Sequence, residues 1–424
     1  MAEPAKNHRD NAGCGGHDSA ALRLEEARAR MLAQIAPVEG HETVSVRDAL
    51  GRVLAAEVVS TVDVPSHRNS AMDGYALAGA ELPGEGEARF EVAGTSWAGR
   101  PFEGRTGPGR CVRIMTGAVV PEGADTVVMQ EQVRREGGIA VIGAGHRPGD
   151  NVRPAGEDLR AGETALPAGT YLRPAQLGLI ASLGVSEVRV RRRPRVAFFS
   201  TGDELRSVGE PLGEGQIYDS NRYTLHGMLT RLGVEVVDLG VVRDRPEELE
   251  AAFAGAARRA DALITSGGVS VGEADFVTDT LDKLGEVGFW TVAMKPGRPI
   301  AFGRIGEAWF FGLPGNPVSV MATFYQLVQP ALQRLSGIES PEPPLLLRAR
   351  TAGKLKKKPG RLEFQRGVFR ASPEGGYVVE STGHQGSGIL RSMSEANCFI
   401  VLEQERGRVE AGEEVLVQPF QGLA

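Results

Sequence analysis

The chain has 424 residues, 41% hydrophobic and 24% charged, with a net charge of −6. That length exceeds what one hydrophobic core supports, so about two to four domains are expected. The acidic balance argues against a general nucleic-acid coat, so an anionic ligand would have to be met by local basic groups. Cys14, Cys111 and Cys398 lie far apart with no CxxC spacing, which excludes a local zinc knuckle and points to a reducing compartment. No stretch approaches the ~20 apolar residues of a membrane span. The first residues carry no apolar signal segment, so cytoplasm is the expected location and a membrane is not an expected partner.

In chain order, residues 1–18 are expected to be a disordered tail. Residues 19–35 place Leu22, Leu24, Ala27, Met31 and Ile35 on one helical face, with Asp18 or Ser19 as cap. A helical turn at 48–51 and a strand at 53–59 follow. From 60 to 150, short β-type runs at 89–92, 110–115, 125–130 and 139–142 alternate with Gly/Pro turns and predict an inserted all-β module. Segments 19–59 and 151–193 then form an N-terminal helical and linker domain, with a loop at 152–166, a helix at 173–183 and a strand at 185–190. Residues 194–338 alternate strands (196–200, 234–242, 262–265, 289–294) with helices (220–232, 246–260, 276–284, 318–335) and a hairpin (299–302, 308–311). This alternation predicts a mainly parallel α/β domain. Residues 339–424 return to β texture and suggest a small C-terminal β-barrel domain.

In a parallel α/β sheet, ligands sit beyond the carboxyl ends of the strands. Four polar loops fall there: 201–204, the turn at Asp244, 267–275 and 295–298. In the third, Gly267 and Gly268 would let backbone N–H groups crowd a phosphate, although a tight turn explains them equally. Lys295 and Arg298 stand three residues apart among prolines, as an oxyanion site or as ordinary surface charge. Ser319 lies in the first turn of a helix, with Asn316 at the N-cap and Pro317 at N1, where N–H donors favour anions. Arg366 and Ser387 would complete a cage if the last domain folds back over the sheet edge. Glu204, Asp244 and Asp275 each follow a strand and could hold Mg²⁺ beside a phosphate. Helix capping is the alternative for Asp244 and Asp275. Asp73, before Gly74, fits a turn or a site. Thr116 puts a hydroxyl at the mouth of a glycine turn. The run Lys354–Lys358 reads as a solvated basic loop. No Ser–His–Asp order is present, so acyl transfer is not expected.

These stretches resemble the MoeA family of molybdopterin molybdenumtransferases, whose relatives include plant and animal fusion proteins, gephyrin among them. The matching motifs are NSAMDGYA (69–76), RIMTGA (113–118), STGDEL (200–205), IYDSNR (217–222), SGGVSVGEAD (266–275), MKPGRP (294–299), GLPGNPVS (312–319), EFQRG (363–367) and GHQGSG (383–388). The resemblance implies a MogA-like α/β domain and a homodimer with an active site shared between subunits. It implies insertion of molybdate into adenylylated molybdopterin, with AMP released and Mg²⁺ required. Gly267, Gly268, Ser270, Gly272, Pro314 and Pro317 would hold the pterin nucleotide. Lys295, Arg298, Ser319, Arg366 and Ser387 would hold molybdate. Glu204, Asp244 and Asp275 would handle metal and phosphate, and Asp73 and Thr116 would act across the dimer. Thr291 stands where some relatives have a second Lys, and Arg298 where Lys is common. The pathway's molybdopterin adenylyltransferase would be a partner. Adenylylation itself, or a molybdopterin-binding scaffold role, are the competing functions.

Overall fold

The computed structural model describes residues 21–267, 280–281 and 283–421. The expected tail and the expected cap at Asp18 or Ser19 lie outside the described residues. The chain divides into two compact units, His41–Val190 and the remainder, Met1–Gly40 with Arg191–Ala424.

The unit His41–Val190 contains a six-stranded sheet. Its order is Thr126–Met129, Gly74–Leu77, Arg110–Ile114, Glu87–Ser96, Ile139–Gly143, Val133–Glu136. Alternation along the strand Gly74–Leu77 sends Tyr75 and Leu77 into one core and Ala76 into another. Four of these strands fall on the expected β runs. Gly74 instead reads as a turn in the sequence, yet it pairs with Ile114 and Met129. Glycine is needed there for close approach, because a Cβ would stand 2.1 Å from the Val128 carbonyl oxygen. The expected loop at 152–166 contributes two short strands, Val152–Arg153 and Thr164–Leu166, each added antiparallel to an earlier segment. A separate core of Ala49, Leu54, Leu172, Ile180 and Val190 anchors the helix Pro174–Ser182.

The other unit is built on strands β1 (Arg195–Thr201), β2 (Glu235–Val242), β3 (Ala262–Ser266), β4 (Gly285–Thr291), β5 (Pro299–Ile305) and β6 (Ala308–Leu313). They form one sheet in the order β2-β1-β3-β6-β5-β4. The first four strands are parallel, and β5 and β4 are antiparallel additions. Both faces are covered, since Phe198, Ile264 and Phe311 enter one core and Phe199, Leu263 and Phe310 another. That is why these strands are near-continuous apolar runs. The first helix is Leu24–Gln34, shorter than expected, and Leu22 instead bridges to Val292.

The helix expected over 318–335 is interrupted. It runs as Pro317–Thr323, a π turn at Phe324–Val328, then Gln329–Leu335. Pro330 lacks the N–H that would serve the Gln326 carbonyl. Arg28 takes that carbonyl instead, donating Nε at 2.9 Å, and Gln326 Nε2 donates to Gln418 Oε1 at 2.8 Å. The missing hydrogen bond thus becomes the joint linking three segments.

The C-terminal strands are β7 (Leu347–Thr351), β8 (Leu362–Ala371), β9 (Tyr377–Ser381), β10 (Cys398–Leu402) and β11 (Glu414–Pro419). They close in the order β8-β9-β7-β11-β10 and back to β8, a five-stranded barrel. The short strand Met294–Lys295 also pairs with β8, in register Met294 to Leu362 and Lys295 to Glu363. Among the described residues, no helix is long and apolar enough to cross a membrane.

Candidate active site

The carboxyl end of β3 is the middle of the site. Gly267 has φ +96°, and its N–H donates to the Leu313 carbonyl at 3.1 Å. A Cβ there would meet the Thr201 carbonyl oxygen at 2.6 Å, so only glycine lets the ends of β1 and β3 approach so closely. A Cβ on Gly315 would lie 3.9 Å from Gly267 Cα, which puts the loop after β6 against the same point. Asn221 fixes this arrangement from the helix Ser220–Leu232. Its Nδ2 donates to Ser266 Oγ and to the Gly315 carbonyl, both at 2.7 Å. Pro314 is buried and Pro317 half-buried in that loop. Gly268, Ser270, Gly272 and Asp275 lie outside the described residues.

An acidic end lies on one side, past β1 and β2. Gly202 has φ +151°, and the Glu204 carboxylate folds over it, 2.6 Å from where a Cβ would stand. Asp244 is half-buried. Its Oδ1 is buried without a hydrogen-bond partner among the described residues. Burial pushes its pKa up, and the negative charges of Asp203 and Glu204 push it further the same way. Arg245, not Asp244, occupies the N-cap of the helix Pro246–Ala257, and no side chain caps it. Capping therefore does not account for Asp244. Thr201 Oγ1 and Thr265 Oγ1 are also buried and unpartnered among the described residues, as polar atoms at these strand ends. No group of three or more His, Cys, Asp or Glu side chains in metal-holding geometry occurs among the described residues. With Asp275 outside them, Glu204 and Asp244 are the two described members of the expected set.

A cationic end lies on the other side, where the barrel folds back. A cavity of about 350 Å³ is lined by Lys295, Ser319, Glu363, Arg366, Gln385 and Ser387, among others. Strand pairing creates the first contact, since the 295-to-363 register sets Lys295 Nζ 3.0 Å from Glu363 Oε1. Arg366 is 1% exposed. Its Nε donates to Ser392 Oγ at 3.0 Å and its Nη2 to the Gly386 carbonyl at 2.9 Å. Nη1 has no partner among the described residues, on a side chain that faces the cavity. Burial pushes the Arg366 pKa down to about 10, so it stays charged at neutral pH. The Ser387 carbonyl accepts the Val318 N–H at 3.0 Å. The Val320 N–H goes to the Asn316 carbonyl at 3.0 Å and Pro317 has none, so the helix start has fewer free donors than its position suggests. Asn316 is the N-cap, but its side chain makes no capping bond. Arg298 is exposed and does not line this cavity.

Each step from the acids to the cations is a contact: Glu204 over Gly202, Thr201 against Gly267, Gly267 against Leu313 and Gly315, then Val318 to Ser387. The sheet-edge loops and the barrel loop thus form one continuous row. In the His41–Val190 unit, Asp73 Oδ1 accepts from Thr116 N at 2.7 Å and from Thr116 Oγ1 at 2.8 Å. These bonds hold the Asp73 pKa below the usual carboxylate range, the backbone bond contributing most.

Glu363, Asn221 and Asp203 were not singled out in the sequence. For Glu363 a signal existed: Glu363, Gln365 and Arg366 cluster among Leu362, Phe364, Val368 and Phe369, and such polar groups are buried only when partnered. Asn221 lies in the IYDSNR motif, but its bridging role is not visible locally, because its two partners are 45 and 94 residues away.

Residues 22–184 match the MoeA N-terminal region (domain I and II), 197–334 the probable molybdopterin binding domain, and 348–420 the MoeA C-terminal region (domain IV). The chain is 47% identical over 403 residues to a molybdopterin molybdenumtransferase of Haemophilus influenzae, covering 95% of this chain and 99% of that protein. It is 38% identical to the protein of the same name from a Nostoc species, with 89% and 88% covered. Among solved structures, it resembles the molybdopterin biosynthesis MoeA protein of Pyrococcus horikoshii. That match has a TM-score of 0.80 at 28% identity and covers 94% of this chain and 100% of that one.

Proposed function

The chain belongs to the MoeA family of molybdopterin molybdenumtransferases, and from that premise we propose that it inserts molybdenum from molybdate into adenylylated molybdopterin, releasing AMP. The observation that carries this reading is the unbroken row of contacts between an acidic and a cationic end. Three strand spacings separate the end of β2 from that of β6, ~14 Å, a length suited to an extended phosphorylated ligand. On this reading Gly267, Gly268, Ser270, Gly272, Pro314 and Pro317 seat the pterin nucleotide. Lys295, Ser319, Arg366 and Ser387 hold molybdate, and Arg298 adds longer-range attraction.

The reaction brings two anions together, which repel unless donors and cations are arranged beforehand. Arg366 does this with a guanidinium locked by Ser392 and Gly386. Lys295 is held by Glu363 at the rim of the cavity. At the other end, the unpartnered Asp244 Oδ1 and its acidic neighbours fit a divalent cation, and Glu204, Asp244 and Asp275 would hold Mg²⁺ there. Bound Mg²⁺ would neutralise the phosphates and polarise the phosphoanhydride. Asp244 must be ionised for this role, and its raised pKa means that acidification neutralises it earlier than an ordinary carboxylate.

The direct test is AMP release by the purified chain supplied with adenylylated molybdopterin, Mg²⁺ and molybdate. AMP should appear only after molybdate is added. Consumption of ATP with unmodified molybdopterin would instead mark an adenylyltransferase. We also propose a cytoplasmic homodimer, fed by the adenylylating enzyme, in which Asp73 and Thr116 of one subunit serve the reaction of its partner. Mixing Asp73→Ala chains with Asp275→Ala chains should restore up to about a quarter of the wild-type AMP release, by random pairing into one intact site per mixed dimer. No recovery would overturn the shared site.

A further inference from the structure

A second cavity, of about 480 Å³, opens on the barrel. Six cationic side chains line it (Lys295, Lys356, Lys357, Lys358, Arg361 and Arg408) against one carboxylate, Glu363. Lys295 and Glu363 line the oxyanion cavity too, so the two spaces share a wall.

The run 354–358, expected to be a solvated loop, is pinned instead. Leu355 and Val409 exchange backbone hydrogen bonds of 2.9 and 3.1 Å, and the Gly360 N–H donates to the Gln404 carbonyl at 2.8 Å. Gln365 Nε2 donates to the Lys356 carbonyl at 2.8 Å and to Glu363 Oε1 at 3.0 Å. Lys357 is only 7% exposed. Its ammonium donates to the Lys358 carbonyl at 2.7 Å and the Gln404 carbonyl at 3.4 Å. It makes no ion pair with a described residue. Burial lowers its pKa most, with Lys295 and Arg361 adding to the effect and Glu363 and Glu405 opposing it. Lys356, Lys358 and Arg361 likewise have no ion pair with a described residue, whereas Arg408 is held by Glu410 at 3.2 Å.

A largely buried ammonium held directly only by carbonyl oxygens is costly, and so is gathering further cations around it. An anion in the cavity relieves both. Lys295 and Arg408 are already held by Glu363 and Glu410, so a single tetrahedral dianion would match only two of the four remaining cations, and the volume falls in the range that holds nucleotide-sized ligands. We propose that this basic cavity binds a linear polyphosphate, free or as part of a nucleotide. Its occupancy draws Lys295 away from Glu363 and so weakens anion binding in the neighbouring cavity. The coupling is reciprocal. That coupling rests on the assignment of the neighbouring cavity to molybdate; the polyphosphate site itself does not.

Calorimetric titration of the full chain with inorganic triphosphate, ATP and orthophosphate tests the proposal. Triphosphate should bind at least about tenfold tighter than orthophosphate and weaken as salt rises. The double variant Lys358→Gln/Arg361→Gln, altered only at exposed side chains, should lose about tenfold or more in triphosphate affinity with its melting temperature retained. Equal binding of ATP assigns the cavity to the phosphate chain alone, and tighter binding of ATP adds the nucleoside; both support the site. Saturating molybdate should weaken triphosphate binding only a few-fold. Failure of triphosphate to bind, unchanged affinity in the double variant, or displacement by molybdate without limit overturns it. If molybdate does not bind at all, the reading of the neighbouring cavity fails and the double variant still decides this one.

Discussion

Arg366→Ala is expected to lower molybdate-dependent AMP release by about 10²–10³-fold, the loss typical of removing one preorganised donor from a developing or bound oxyanion. The same change removes a buried guanidinium that satisfies Ser392 Oγ and the Gly386 carbonyl. Leaving such partners unpaired costs about 2–4 kcal/mol, so the melting temperature should fall as well. The two effects separate when rate is followed against molybdate concentration below the variant's melting range. A functional role shifts the concentration needed for half-maximal rate, and a structural role lowers only the amount of active protein. Arg366→Lys should recover part of the stability but little of the rate, because a single ammonium cannot reproduce the fork that bonds Ser392 and Gly386 and still directs a further N–H at the cavity. An unchanged molybdate dependence in Arg366→Ala would remove this residue from the oxyanion site.

Asp244→Asn is expected to pull stability and activity in opposite directions. The native pKa of Asp244 is raised, so its charged form is disfavoured by folding. The penalty is present above the native pKa and absent below the ordinary carboxylate value. The amide escapes it. The melting temperature of the metal-free variant should therefore exceed that of the wild type at pH 8, and the difference should vanish as pH falls to about 4. Mg²⁺-dependent AMP release should fall by about tenfold or more, because a neutral amide replaces a charged ligand beside the phosphates. Mg²⁺ should raise the melting temperature of the wild type more than that of the variant. A variant that melts lower than the wild type at pH 8 would mean that Asp244 is a structural acid.

Much of the architecture was legible in the sequence because two periods alternate from 196 to 335, and apolar runs of strand length separated by helical stretches leave few topologies open. The polar loops at the strand ends followed from the same rule. The misses have physical causes. Gly74 looks like turn chemistry, and only the approach of the Val128 carbonyl shows why a strand needs glycine there. The break before Pro330 was written in the sequence, but not the arrival of Arg28 at the freed carbonyl, nearly three hundred residues away in the chain. The pairing of Lys295 with Glu363 depends on the register of a two-residue strand added to the barrel, which no local pattern encodes. Lys357 belongs to a run that usually means a solvated face, and its burial follows from backbone hydrogen bonds on either side, Leu355 with Val409 and Gly360 with Gln404.

The graft of Met294–Lys295 onto β8 has a last consequence. Main-chain hydrogen bonds weld the barrel to the loop that presents Lys295, so under the proposed assignment the backbone of these walls would be set before an oxyanion arrives. Discrimination among tetrahedral ions would then fall to size and bond length measured against a fixed backbone, with only side chains such as Lys295 left to adjust.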